Sequence, residues 1–318
     1  MTRKTKHIMS EPQAIINQVD HIAILTSNPQ YLFHILTDTL QLPIIWPMKY
    51  YGLALSGVVC AGNTNIEVFN YGSPNCPSES ERIETNIYAI AFEPTSILEN
   101  MRELSRRNIP HSPPIPYFGT RFDGFSGKLW TNVALGGFWD GDSRIINISG
   151  IINRYPFFES LIGRLLGRLI CMRWTKSFVQ GESGERALYL TDYTHEVSKT
   201  RSNGADNLTR IDGGLIGLEA VQEIVVSLSD YAEKSANWQR LFNPVLPSEP
   251  GLWRFGGGPA IRLSSSFEDD IKTIVMKVKS LEIAQKRLAK YDLLGISADH
   301  QVSISIPRIQ NLDIRLVE

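Results

Sequence analysis

The sequence predicts an α+β fold made of four βαβββ units, and three observations carry that expectation. A short apolar strand recurs four times: Val19-Asp20-His21-Ile22-Ala23-Ile24, Ile87-Tyr88-Ala89-Ile90-Ala91-Phe92, Val221-Gln222-Glu223-Ile224-Val225-Val226 and Lys272-Thr273-Ile274-Val275-Met276. Each copy leads within a few residues into an amphipathic helix of about four turns. Strands such as 19–25 and 224–228 are apolar on both faces, which suits a curved sheet with a helix on one side and a cup on the other.

The first helix is announced by Asn28-Pro29, a cap followed by proline in the first turn, and ends before Leu42-Pro43, with Leu32, Ile35, Leu36 and Leu40 as its stripe. The second begins at Ser96-Ile97-Leu98-Glu99, which has capping-box spacing, and closes at Asn108-Ile109-Pro110. The third runs roughly from Asp230 to Phe242 and the fourth from about Ser280 to Asp292. From Thr191 to Gly214 the chain moves from strand-like to polar and glycine-containing, so a boundary is expected near residue 205, giving domains over 12–200 and 212–318.

Composition narrows the function. The 318 residues are 42% hydrophobic and 20% charged, enough for two globular cores. A net charge of −1 gives no field to attract nucleic acid, so the expected partner is a small molecule. Cys60, Cys76 and Cys171 are odd in number and lack a CxxC pair, which reads as free thiols of a reducing compartment. The basic start, Met1 to His7, is followed by no apolar stretch of signal-peptide length before Glu11-Pro12, and no segment suits a membrane span; a cytoplasmic protein without a membrane partner is expected.

Between the strands 130–135 and 187–192 lies an insertion, about 140–185, too long for an ordinary connection. Its segment Phe157 to Trp174 reads as a helix, with Phe158, Leu161, Ile162, Leu165, Leu169 and Met172 on one side. It would pack on its own domain or on a second subunit, the latter making a homodimer. A lid over a pocket, or a basic helix on an anionic membrane, are the alternatives.

The repeated unit, opening with Asp20-His21-Ile22-Ala23 and closing with Gly62-Asn63-Thr64-Asn65-Ile66-Glu67-Val68-Phe69, resembles the vicinal oxygen chelate superfamily, which includes glyoxalase I, methylmalonyl-CoA epimerase, extradiol dioxygenases and bleomycin-resistance proteins. The resemblance implies that units pair into two half-open β-barrels with helices outside, and that a divalent metal sits inside one barrel on ligands from first and last strands. Carried over by position, it places His21 and Glu67 as ligands in the first unit. In the second it places Ala89 where a histidine often stands, and Asp192 opposite Glu67. One imidazole and two carboxylates suit Fe(II), Mn(II), Zn(II), Ni(II) or Co(II). The bland alternative is that His21 and Glu67 hydrogen-bond each other in a polar floor; a buried carboxylate between Ile66 and Val68 needs some partner either way.

The second domain lacks that set. Glu223, Arg262, Thr273 and Arg315 stand at the matching positions, and arginine has no lone pair to offer a metal. A metal-free domain is expected, with Glu223, Arg262 and Arg315 in one ion-pair network. His34 and His111 read as structural, and His195, three residues past Asp192, would reach the site only if the strand bends. Gly256-Gly257-Gly258-Pro259 is a turn.

The expected function is that of a metal-dependent enzyme of isomerase or lyase type, in which the substrate chelates the ion through two oxygens and an enolate or oxyanion is stabilised. Trp130, Asn132, Tyr117 and Phe118 are the candidate pocket wall. A metal-free binding protein of the bleomycin-resistance type and an extradiol Fe(II) dioxygenase are the alternatives; the missing second histidine counts against the last.

Overall fold

The computed structural model describes residues 13–51, 54–71, 84–120, 124, 126–139 and 186–318. The expected helix at 157–174 and the surrounding insertion lie outside them. Two sheets carry the fold. The first has eight strands: β1 (Ile16–Leu25), β2 (Ile44–Tyr51), β3 (Ala54–Cys60), β4 (Asn65–Tyr71), β5 (Asn86–Pro94), β6 (Ile115–Thr120), β7 (Ser126–Leu135) and β8 (Ala187–Tyr193), in the spatial order β2-β3-β4-β1-β5-β8-β7-β6. The central β1/β5 pair is antiparallel, and each member has a parallel partner, β4 or β8. This is two βαβββ units about a pseudo-twofold axis.

The second sheet repeats the plan with β9 (Leu218–Leu228), β10 (Leu252–Trp253), β11 (Ala260–Ser265), β12 (Asp270–Val278), β13 (Leu294–Ala298), β14 (Gln301–Ile304) and β15 (Asp313–Val317), in the order β10-β11-β9-β12-β15-β14-β13. The third unit falls one strand short of the expected pattern. Pro244, Pro247 and Pro250 occupy the stretch where that strand would form, and proline cannot donate to a ladder.

Helices α1 (Pro29–His34), α2 (Ile97–Arg106), α4 (Tyr231–Phe242) and α5 (Leu281–Lys290) cover the outer faces, with α3 (His195–Arg210) between the sheets in sequence. Asn28 caps its helix as the sequence suggests, and Asp230 and Ser280, expected only as the starts of theirs, also accept from the first turn. Ser96 does not, and Glu99 instead accepts from Gln13 at 2.9 Å. The first helix widens into a π turn over Ile35–Thr39, closed by Leu40 N donating to Ile35 O.

Helix α3 passes through residue 205, near which the domain boundary was expected. Its buried stripe is Val197, Gly204 and Leu208. Gly204 is there because a Cβ would stand 2.1 Å from Ile45 Cδ1. With a glycine at its central contact and mostly polar residues elsewhere, the helix is more polar overall than α4 or α5, which is why its sequence reads as a boundary.

The outward faces of the central strands form the core, with Ile22, Ile24, Ile66, Ile90, Phe92, Leu188 and Leu190 essentially inaccessible to solvent. The two barrels are tied together by direct bonds. Asn63 Nδ2 donates to Val221 O at 3.1 Å and Val221 N donates to Asn63 Oδ1 at 3.0 Å. Buried Arg107 donates to the carbonyls of Arg240 and Leu241 at the end of α4, and Phe92 meets Phe242 edge-on at 6.1 Å.

Candidate functional site

The first barrel encloses a cup of about 1110 Å³ between the inner faces of β1–β8 and the start of α3. At its floor a β-bulge in β1, where Val19 and His21 pair with the consecutive residues Phe92 and Ala91 of β5, leaves Asp20 as the extra residue. The bulge lets two neighbouring side chains meet. Asp20 Oδ2 lies 2.5 Å from His21 Nδ1, and the Asp20 side chain is fully buried.

A carboxylate can only accept, so Nδ1 carries the imidazole proton and Nε2 presents its lone pair to the cup. Burial pushes the His21 pKa below 6.5, against the opposing effect of the Glu67 charge. Glu67 Oε2 stands 3.5 Å from Nε2, and Ser56 Oγ donates to Glu67 Oε1 at 2.6 Å. The floor is thus a chain of four groups, Asp20, His21, Glu67 and Ser56.

Strand register identifies the equivalent positions in the other units. In β1/β4, His21 pairs with Asn65 and Ala23 with Glu67. In β5/β8, Ala89 pairs with Ala187 and Ala91 with Tyr189. Tyr189 therefore occupies the place of Glu67, three residues before the expected Asp192. An odd offset reverses the face of a strand. Tyr189, Thr191 and Tyr193 line the cup, whereas Asp192 shares its side of β8 with the core residues Leu188 and Leu190. Asp192 borders the cavity near Glu93, and its pKa is raised by burial and by that carboxylate while Lys128 opposes the shift.

His21 and Glu67 are thus brought together and Asp192 is not. Among the described residues no three His, Cys, Asp or Glu side chains are grouped to hold a metal ion. With Ala89 and Tyr189 at the other two positions, His21 and Glu67 are the imidazole and carboxylate that the described residues bring together there.

Of the expected wall residues, Trp130, Asn132 and Tyr117 line the cup. Phe118 does not: β6 alternates inner and outer side chains, and Phe118 is 52% exposed on the other face. The wall also includes residues the sequence reading passed over. Tyr117 stacks on Trp130 at 4.2 Å, and Trp130 meets Trp46 edge-on at 5.8 Å and Tyr193 at 6.1 Å. Tyr51 adds a further edge contact to Trp46 at 5.6 Å. Burial, with Tyr117 and Glu67 adding to it, pushes the Tyr51 phenol up to about 12. The Tyr117 and Tyr193 phenols move the same way, first by burial and then by Glu67. On β8, Tyr189, Thr191 and Tyr193 alternate with Leu188 and Leu190, which was the available signal there. His195 also lines the cup, because strand β8 ends at Tyr193 and the chain turns into α3.

His34 pairs with Asp38 on the surface at 2.6 Å, and His111 is buried between Ser105 and the Ser112 carbonyl. In the second barrel the matching positions make two pairs and not one network. Arg262 binds Glu223 at 2.9 Å, while Arg315 binds Asp313 at 2.7 Å, and Thr273 donates to Asp313 at 2.7 Å.

No family model and no curated protein matches the chain. Solved structures do. The 2,3-dioxygenase LapB from Pseudomonas sp. KL28 is 9% identical with a TM-score of 0.56, covering 96% of this chain and 92% of that one. A hypothetical protein from Staphylococcus aureus is 11% identical with a TM-score of 0.54, covering 94% and 98%. A mutant of 4-hydroxymandelate synthase from Streptomyces coelicolor is 10% identical with a TM-score of 0.53, covering 95% and 92%. At these identities the likeness concerns architecture alone. No helix among the described residues is long and apolar enough to cross a membrane. The chain shares with these structures a tandem, paired-barrel fold.

Proposed function

We propose that the first barrel is a receptor for a small organic molecule, seated between the aromatic wall and the His21–Glu67 pair without a resident metal. The observation that carries this reading is the register: of four positions that face one another at the cup floor, two hold the acceptors His21 and Glu67 and two hold Ala89 and Tyr189. A cavity of this size lined by aromatic rings with a few convergent polar groups is the usual form of a small-molecule site. His21 Nε2 accepts a hydrogen bond from the bound molecule and Glu67 Oε2 accepts a second, while Asp20 and Ser56 hold both acceptors in place.

The test is elemental analysis of protein purified without chelators, paired with calorimetric titration of small aromatic compounds in EDTA. The expected result is well under one equivalent of first-row metal and binding that survives EDTA but is lost in His21→Ala. Stoichiometric metal with EDTA-sensitive binding would overturn it.

That outcome would favour a second reading, a metal-dependent enzyme of isomerase, lyase or dioxygenase type. One observation favours this alternative: a buried carboxylate on Nδ1 is the outer partner that metal-bound imidazoles commonly have. Dioxygenases also stand among the structures of this fold.

A further inference from the structure

Glu67 carries the most informative imbalance in the cup. Its carboxylate is 29% exposed and has a neutral hydroxyl, Ser56, on one oxygen. On the other it faces His21 Nε2 at 3.5 Å, an acceptor facing an acceptor, since the Nδ1 proton is committed to Asp20. Among the described residues no lysine or arginine forms an ion pair with it. A partly buried carboxylate is costly without a cation, and two converging acceptors leave a place for a group that donates.

The cations near the cup stand elsewhere. Lys128 acts on Asp192, Lys49 lies 5.0 Å over the Tyr51 ring, and Lys199 borders the cavity from α3. Glu93, also on the lining, takes Gln18 as a donor at 2.6 Å. Around Glu67 the remaining surface is aromatic: Trp46, Tyr117, Trp130 and Tyr193 make a continuous set of edge-to-face and stacked rings. Ring faces attract cations, most strongly where water is displaced. Two further polar atoms on the lining are buried without a hydrogen-bond partner among the described residues, Asn65 Oδ1 and Thr191 Oγ1, in residues 7% and 2% exposed.

We propose that the molecule this cup selects is an organic ammonium: a protonated amine whose N–H groups donate to Glu67 Oε2 and His21 Nε2, with an apolar body against Trp46 and Trp130. The proposal rests on the small-molecule reading above and adds the charge of the ligand to it. A carboxylate and a ring box act together, the first supplying the charge and the second excluding water from it.

The experiment compares three probes sharing one skeleton and differing in charge: 2-phenylethylammonium, 2-phenylethanol and phenylacetate, titrated calorimetrically into the full chain at low salt in EDTA. The expected result is binding of the ammonium at least tenfold tighter than the alcohol, with phenylacetate weakest. Glu67→Gln, which keeps the shape and the Ser56 bond, should reduce that preference severalfold, and Trp130→Leu should reduce it through loss of the ring face. Equal binding of ammonium and alcohol, or tighter binding of phenylacetate, would overturn the ammonium proposal and leave the small-molecule reading standing. Failure of all three probes would remove both.

Discussion

Asp20 and His21 are neighbours in the chain whose side chains meet on the same side of the strand, at 2.5 Å, because a bulge interrupts the alternation between them. Without that bulge Asp20 would point into the helix-covered core and His21 would rotate freely in the cup. Replacing Asp20 by Ala should therefore release the imidazole tautomer. Long-range 1H–15N spectra should show Nδ1 protonated in the parent and a mixture in the variant. The unpaired N–H should also lower unfolding stability by about 1–3 kcal/mol in urea.

The register of β5 and β8 against β1 and β4 can be read out by building a metal site on it. If Ala89 and Tyr189 truly stand opposite His21 and Glu67, the double substitution Ala89→His with Tyr189→Glu completes a four-donor floor. Such a variant should bind Co(II) stoichiometrically with visible d–d absorption, while the parent should not. A variant placing histidine at 89 alone should bind more weakly, and no Co(II) signal in the double variant would contradict the assignment.

Acid sensitivity should arise from the junction of the barrels. Arg106, hydrogen-bonded to Glu103, holds that carboxyl down at about 2 from 4.5, with Arg107 contributing against the opposing effect of burial. A depressed carboxyl pKa contributes stability that is complete above 4.5 and lost as pH falls from there through about 2. Because the chief partner, Arg106, is half exposed and screened by solvent, the amount is about 1–2 kcal/mol. Urea midpoints measured from pH 5 to pH 2.5 should fall steeply in the parent and less steeply in Glu103→Gln.

The reciprocal bonds of Asn63 with the Val221 backbone predict a different signature. Asn63→Ala removes both and leaves a backbone donor and acceptor unpaired, a loss of about 1–3 kcal/mol. Gly62→Ala should be worse, because Gly62 has a φ of +84° and a Cβ there would lie 2.5 Å from Glu219 O. Differential scanning calorimetry should show one transition in the parent and a broadened or split one in Gly62→Ala.

Much of this architecture is legible in the residues. The four opening strands and the Asn28 cap follow from apolar period and cap chemistry, whereas the placing of His21 beside Glu67 was implied by the family resemblance. What escaped was governed by offsets smaller than sequence patterns resolve. Asp192 was misplaced by three residues, and in a strand an odd error exchanges the inner face for the outer one. Asp20 was passed over because alternation places it away from His21, and a bulge leaves no local mark beyond an extra residue. Helix α3 was hidden by Gly204, whose packing against Ile45 is tertiary. Phe118 was grouped with Tyr117 through adjacency, although adjacent strand residues face opposite ways.

The loop that Asn63 fastens to Val221 is the one that delivers Asn65 and Glu67 to the cup two and four residues later. The second barrel, whose own floor is closed by arginine pairs, thereby acts as a buttress: it fixes the height of a strand it does not belong to. Cutting the chain between the barrels would thus be expected to blunt recognition in the first without touching one atom of its wall.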